Sequence, residues 1–313
     1  MSSKKNFLIG ILCSLGMLVS QALGLSFTLD LPHPLQAAMY VPVVGLALYG
    51  WHMYASNSFT LDFRTSKQRV AVLIIAAGSL AINYGQPVAA AALGPSVALA
   101  FNCAGSLTVP LVTYLKERHW LKVLLTSAII LTVGVMAQPW ESSFSVTGVL
   151  FALCGFGHMA GLPIALGMLN TPEAKTQEAA EIQDKRTATA MWAGNVPGAA
   201  CLAVAAGINL GGFAWFPSWF FVGSMAAVLI FVVPIILSNN AAKRLAPSML
   251  GAIGGLAAVV GQMVELATAS WHAPNFNVFD AISSLYLFIL PLALILVVWQ
   301  EVKAKGEQAT VVP

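Results

Sequence analysis

The chain has 313 residues, of which 58% are hydrophobic and only 9% charged, and its mean hydropathy is +0.81. Soluble domains carry roughly 25% charged residues, and a chain of this size cannot hide so much apolar surface in one core, because surface shrinks too slowly with length. A soluble enzyme, a nucleic-acid binder and a disordered chain are excluded, which leaves a polytopic membrane protein.

A bilayer core needs about 20 apolar residues per crossing helix. In chain order, such stretches are predicted at 6–27, 36–55, 70–87, 95–115, 121–138, 145–168, 188–208, 215–237, 247–267 and 280–300. The first, behind Lys4 and Lys5, reads as a retained crossing helix rather than a cleaved secretory signal. The second is the most polar, holding Tyr40, Pro42, Tyr49, Trp51 and His52. Pro87 and Gly94-Pro95 mark a hairpin between the third and fourth. Thr171-Pro172 reads as the cap and first turn of a short surface helix over 171–187, its charges a solvated face. Cys13, Cys103, Cys154 and Cys201 lie in apolar runs without a CxxC, as small thiols do rather than a metal or redox pair.

The charges set the sidedness. With the N-terminus in the cytoplasm, the inner segments hold Lys4 and Lys5; Arg64, Lys67 and Arg69; Lys116, Arg118 and Lys122; Lys175, Lys185 and Arg186; Lys243 and Arg244; and Lys303 and Lys305. Those are all 15 of the Lys and Arg residues, and cytoplasmic excess of Lys and Arg is the sorting rule for membrane helices. Ten crossing helices with both termini inside are predicted.

The short segment QPWESSFS, 138–145, divides the chain into a first half, 1–140, and a second, 141–313. With five helices each, the second half enters the membrane from the opposite side, and related halves would form an inverted repeat, a transporter design. The fourth span opens LGPSVALAFNCAGSLTVPLV and the ninth LAPSMLGAIGGLAAVVGQMV; both start with a small residue and Pro-Ser, then run on in small residues suited to close helix contact.

Residues 83–112, NYGQPVAAAALGPSVALAFNCAGSLTVPLV, resemble the third-to-fourth-helix region of the threonine/homoserine exporters. Residues 147–167, TGVLFALCGFGHMAGLPIALG, resemble that group's sixth helix, and 241–266, AAKRLAPSMLGAIGGLAAVVGQMVEL, its ninth. The chain thus resembles the drug/metabolite transporter superfamily in its ten-helix, EamA-like branch. The resemblance implies a central cavity lined in part by the third, fourth, sixth, seventh and ninth helices, and export of amino acids or related compounds. Asn102 stands where the exporter group carries an acidic residue.

Polar side chains at membrane depth are costly, so each is a functional candidate. Those for substrate binding are Asn83, Tyr84, Asn102, His158, Trp192, Asn195 and Gln262; those for proton coupling are His158 and Glu265, the one carboxylate inside the ends of a predicted span, Asp280 being the first residue of the last. An imidazole titrates near neutral pH. Interhelical hydrogen bonding is the competing reading for the amides. Pro42, Pro110, Pro163, Pro197, Pro234 and Pro291 fall inside predicted helices, where bends suit hinges.

No nucleotide-binding loop, zinc motif or Ser/His/Asp order is present, so no cofactor, catalytic residue or metal ligand is assigned. The reading is a secondary transporter of a small polar metabolite in a bacterial-type inner membrane. It exposes a central cavity alternately to each side, driven by protons or by the substrate's own gradient, as a monomer or homodimer. The alternative is an integral membrane enzyme acting on a lipid-linked or amphiphilic substrate. That needs convergent acid/base groups near one interface, whereas Asp30, Glu141, Glu265 and Asp280 are scattered.

Overall fold

The computed structural model describes residues 2–63, 65–137, 145–169, 177–210, 216–242, 244–245, 247–268 and 278–304. These residues form helices joined by turns, with no strand among them. In order they are α1 (Ser2–Leu29), α2 (Pro34–Ala55), α3 (Ser66–Leu93), α4 (Pro95–Ser106), α5 (Thr108–Lys116), α6 (Trp120–Met136) and α7 (Val146–Leu169). Then come α8 (Gln177–Asn209), α9 (Phe216–Ala227), a π turn (Val228–Val232), α10 (Val233–Ala242), α11 (Pro247–Gly254), α12 (Ala257–Ala267) and α13 (Val278–Ala304).

Local chemistry sets several boundaries. Thr65 accepts from the Gln68 amide while the Gln68 side chain accepts from the Thr65 amide, a reciprocal cap that starts α3. His33 Nδ1 accepts from the Leu35 amide, and Pro34 opens α2. Gly94, at φ +89°, turns the chain from α3 into α4, a conformation that a Cβ would strain.

Among the described residues, seven helical runs are long and apolar enough to cross a membrane: Asn6–Leu29, Ser66–Leu93, Pro95–Lys116, Val146–Leu169, Glu181–Asn209, Trp219–Ala241 and Met249–Ala267. Trp120–Met136 and Leu285–Gln300 are apolar but shorter. Leu73, Leu124, Leu131, Val204 and Phe221 stay largely exposed, a surface that suits lipid rather than water. The architecture is that of an all-α membrane protein. Among the described residues each predicted apolar stretch falls on helix, but three of the ten, α2, α6 and α13, are not among the seven.

Four local expectations change. The predicted hairpin is narrower: α3 runs through Pro87 to Leu93 and turns only at Gly94. The spans at 95–115 and 247–267 are each broken, the first at Leu107 and the second at Gly255-Leu256. The surface helix expected over 171–187 is, from Gln177 onward, the first three turns of α8, a single 33-residue helix; residues 171–176 lie outside the described set. Within it Arg186 is buried rather than solvated. The predicted dividing segment is described only at Ser145.

Glycine governs how the helices pack, because it lets backbones approach where any side chain would intrude. Helix α3 runs antiparallel to α7, with Gly85 against Phe151 and Gly78 against His158. Helix α1 runs antiparallel to the run from the π turn into α10, with Gly24 against Ile230 and Gly16 against Leu237. Helix α3 is parallel to α8, where Gly194 meets Ile75 and Gly198 meets Leu80; α2 is parallel to α9 and the π turn, where Tyr40 meets Gly223 and Phe231 meets Gly45. Helix α4 lies on α7 and α12 on α1, while α2 pairs with α8 and α6 with α13. The broken helices pair antiparallel, Ser96 against Gly261, Ser106 against Gly254 and Pro110 against Gly251. These directions put Lys67, Lys116, Lys122, Lys185 and Arg244 at one end of the bundle, the basic end.

Candidate functional site

Ser79, Asn83 and Gln86 are spaced four and three apart, which places them on one face of α3, and all three are buried. That face meets α8. Ser79 Oγ donates to the Gly194 carbonyl at 3.2 Å, and Asn83 Nδ2 donates to Asn195 Oδ1 at 3.5 Å. Asn195 Nδ2 in turn donates to the Met191 carbonyl at 2.7 Å, which fixes the amide so that its oxygen faces α3. The small residues of α8 allow this approach: a Cβ on Gly194 would lie 2.6 Å from Ile75 Cγ2.

Beside the seam is a small cavity lined by Leu25, Val41, Ile82, Asn83, Gln86, Pro87 and Ile230. It has room for about one water. It lies where α1, α2, α3 and the π turn converge, and its polar wall is the two amides. Pro87 has no N–H, so the helical ladder leaves the Asn83 carbonyl without its usual donor. A comparable event shapes the opposite wall. The Val233 amide donates to the Val228 carbonyl across the π turn, and Pro234 supplies no N–H for the Leu229 carbonyl. Ser20 Oγ of α1 donates to that oxygen at 2.7 Å. Two proline-perturbed helices therefore face one another across the cavity, as π turns often do at functional sites.

Of the predicted binding residues, Asn83 and Asn195 come together. Trp192 Nε1–H donates to the Leu46 carbonyl at 3.0 Å and pins α8 to α2, with Phe59 edge-on to the indole. Tyr84 faces α7, its ring perpendicular to Phe151 at 5.4 Å. His158 lies with Nδ1 close on Gly78 of α3, five residues below Asn83.

Asn102 belongs to a second seam, between α4 and α7, where its Oδ1 lies directly on Gly155. Asn102 is 4% exposed, and its buried Oδ1 has no hydrogen-bond partner among the described residues. Gln262 is buried on α12. Glu265, near the end of α12, spans to α4, accepting the Ser96 amide on Oε1 at 2.7 Å and the Ser96 hydroxyl on Oε2 at 2.9 Å. A carboxylate is favoured there by the positive end of the helix dipole.

Reasoning from the sequence passed over Ser20, Ser79 and Gln86. The spacing of Ser79 and Gln86 about Asn83 carried the signal for two of them; nothing local marks Ser20, whose role depends on a proline 214 positions away. No protein-family model matches the chain, and no curated protein matches it in sequence.

Proposed function

We propose that the chain is a secondary transporter of a small polar metabolite, built as two inverted five-helix halves, 1–140 and 141–313. The ten helical runs would all cross the membrane, with the basic end and both termini in the cytoplasm. One observation carries the reading. When each run of the first half is matched to the run five places later, the packing maps onto itself: α3 on α7 matches α1 on the π turn and α10, both antiparallel. The parallel pair α3–α8 matches α2–α9, and α4 on α7 matches α12 on α1. The pairs α2–α8, α4–α12 and α6–α13 each match themselves. The breaks at Leu107 and Leu256 also fall in matched runs and share the pattern Gly-small-Leu. Inverted repeats place the substrate at the interface between halves, near the middle of the membrane.

The cavity by Asn83 and Gln86 occupies that interface, and the Asn83–Asn195 pair ties the first half to the second beside it. Neutral amides suit hydrogen bonding to a small polar solute, with amino acids or related compounds, exported, as the first candidates. Membership of the drug/metabolite transporter superfamily and a bacterial-type inner membrane are part of the proposal, as is the absence of catalysis.

The test is flux in liposomes carrying the purified chain, with labelled amino acids, nucleosides and amines, with and without a pH gradient. Flux of at least one class, lowered by Asn83→Ala, is expected. No flux for any solute, together with turnover of a lipid-linked substrate, overturns the reading.

A further inference from the structure

Two contacts tie the halves together at opposite ends of the bundle. At the basic end, the turn between α2 and α3 is held to α8. Arg186 Nε donates to the Asp62 carbonyl at 2.7 Å, its Nη2 meets Asp62 Oδ2 at 3.1 Å, and the Thr60 amide donates to Thr189 Oγ1 at 2.9 Å. The Arg186 side chain is 9% exposed and its partner carboxylate 32%, so losing Asp62 leaves a largely desolvated guanidinium, more costly than at a free surface, while the carboxylate keeps part of its hydration. At the other end, both carboxylate oxygens of Glu265 in the second half hold Ser96 in the first. Asp62 precedes α3 and Ser96 follows it; α3 has 28 residues, so the two contacts lie about 42 Å apart along the bundle. The seam of Ser79, Asn83 and Asn195 lies between them.

We propose that these are two gate latches, Asp62–Arg186 closing the basic face and Ser96–Glu265 closing the opposite face, and that both are engaged here, in an occluded state. The proposal rests on the alternating-access reading. Each latch joins the two halves, each uses charge-assisted bonds strong enough to bias a two-state equilibrium, and each can part without disturbing the central seam. Exposure of the cavity to one face then requires release of that face's latch alone.

The test is side-specific cysteine labelling. Ile82, in the cavity wall, is changed to Cys in a full-length chain whose Cys13, Cys103, Cys154 and Cys201 are replaced by Ala. A membrane-impermeant maleimide is applied to right-side-out and inverted vesicles, with exposed Glu117→Cys marking the basic face. Arg186→Gln is expected to raise labelling of Ile82→Cys from the basic face about tenfold, with no change from the other. Glu265→Gln and Ser96→Ala should do the reverse. The exchange Asp62→Arg with Arg186→Asp restores the ion pair and should return labelling towards the parent rate. If Arg186→Gln does not yield folded protein, Asp62→Asn, which removes the charge pair and keeps the backbone carbonyl that accepts from Arg186 Nε, carries the same test. Unchanged labelling from a variant's own face, or an equal rise from both, overturns the latches. Labelling needs no substrate, so silent variants in a chain that shows flux reject the latches alone. Responsive variants in a chain without flux for any solute reject the transport reading alone.

Discussion

Asn83 of α3 and Asn195 of α8 meet side chain to side chain, Nδ2 to Oδ1 at 3.5 Å, between the two halves of the chain. The long distance marks a weak bond, and interhelical bonds of this kind in membranes average about 0.6 kcal/mol. Asn83→Ala and Asn195→Ala should therefore each lower the unfolding free energy by less than about 1 kcal/mol, measured by thermal unfolding in detergent. Solute flux should fall by about tenfold or more, a difference of about 1.4 kcal/mol. Losses of flux that merely follow losses of stability would assign the pair to packing.

The glycines give a matched comparison. A Cβ on Gly105 would fall on the Phe156 carbonyl, a backbone group that cannot swing aside, whereas one on Gly157 or Gly134 meets nothing within 4 Å. Gly105→Ala should cost about 1–3 kcal/mol, as overpacking does. Gly157→Ala and Gly134→Ala should be neutral or stabilise by up to about 1 kcal/mol, because alanine is the better helix former. Unfolding midpoints of the three variants, purified side by side, decide the matter.

Ser20 and Pro234 are predicted to be coupled. Ser20 Oγ serves the Leu229 carbonyl that Pro234 leaves without a donor. Ser20→Ala should cost about 1 kcal/mol in the parent but little in a Pro234→Ala background, where the chain supplies its own N–H. A double-mutant cycle returning a coupling of about 0.5 kcal/mol or more is expected; additive effects would show that the π turn does not depend on the proline.

The two proton candidates now separate. Both oxygens of Glu265 are engaged by Ser96, whereas His158, half-buried on α7, lies against Gly78 of α3, next to Ser79 of the seam. Glu265→Gln should lower stability by about 0.3–1 kcal/mol, the worth of a carboxylate at a helix N-terminus, yet leave the stimulation of flux by a pH gradient in place. His158→Gln should abolish that stimulation. Flux that responds to the gradient equally in parent and His158→Gln removes the histidine from the coupling step.

The helical stretches were legible because apolar runs about 20 residues long have few other fates, and among the described residues each of them falls on helix. The finer events were not, because they depend on partners distant in sequence. Pro87 reads as a stop signal, yet α3 passes through it, since a proline removes only one bond and surrounding helices absorb the bend. The charges of Lys185 and Arg186 read alike as solvated, but Arg186 finds Asp62, 124 positions earlier. Asn83 and Asn195 are each legible singly, from the cost of burying an amide, and only the parallel course of α3 and α8 puts them together. Asn102 was chosen by the same argument and lies in the other seam.

Helix α8 has 33 residues and is about 50 Å long, against a hydrocarbon layer of about 30 Å. The surplus lies at the basic end, where Arg186 stands about 35 Å along the axis from Asn209. A bilayer thicker by a few ångströms brings the edge of the acyl chains up to the guanidinium, where separating it from Asp62 costs more. Acyl chain length is thereby expected to act on this contact from outside, and labelling of Ile82→Cys after reconstitution in short- and long-chain lipids measures the effect.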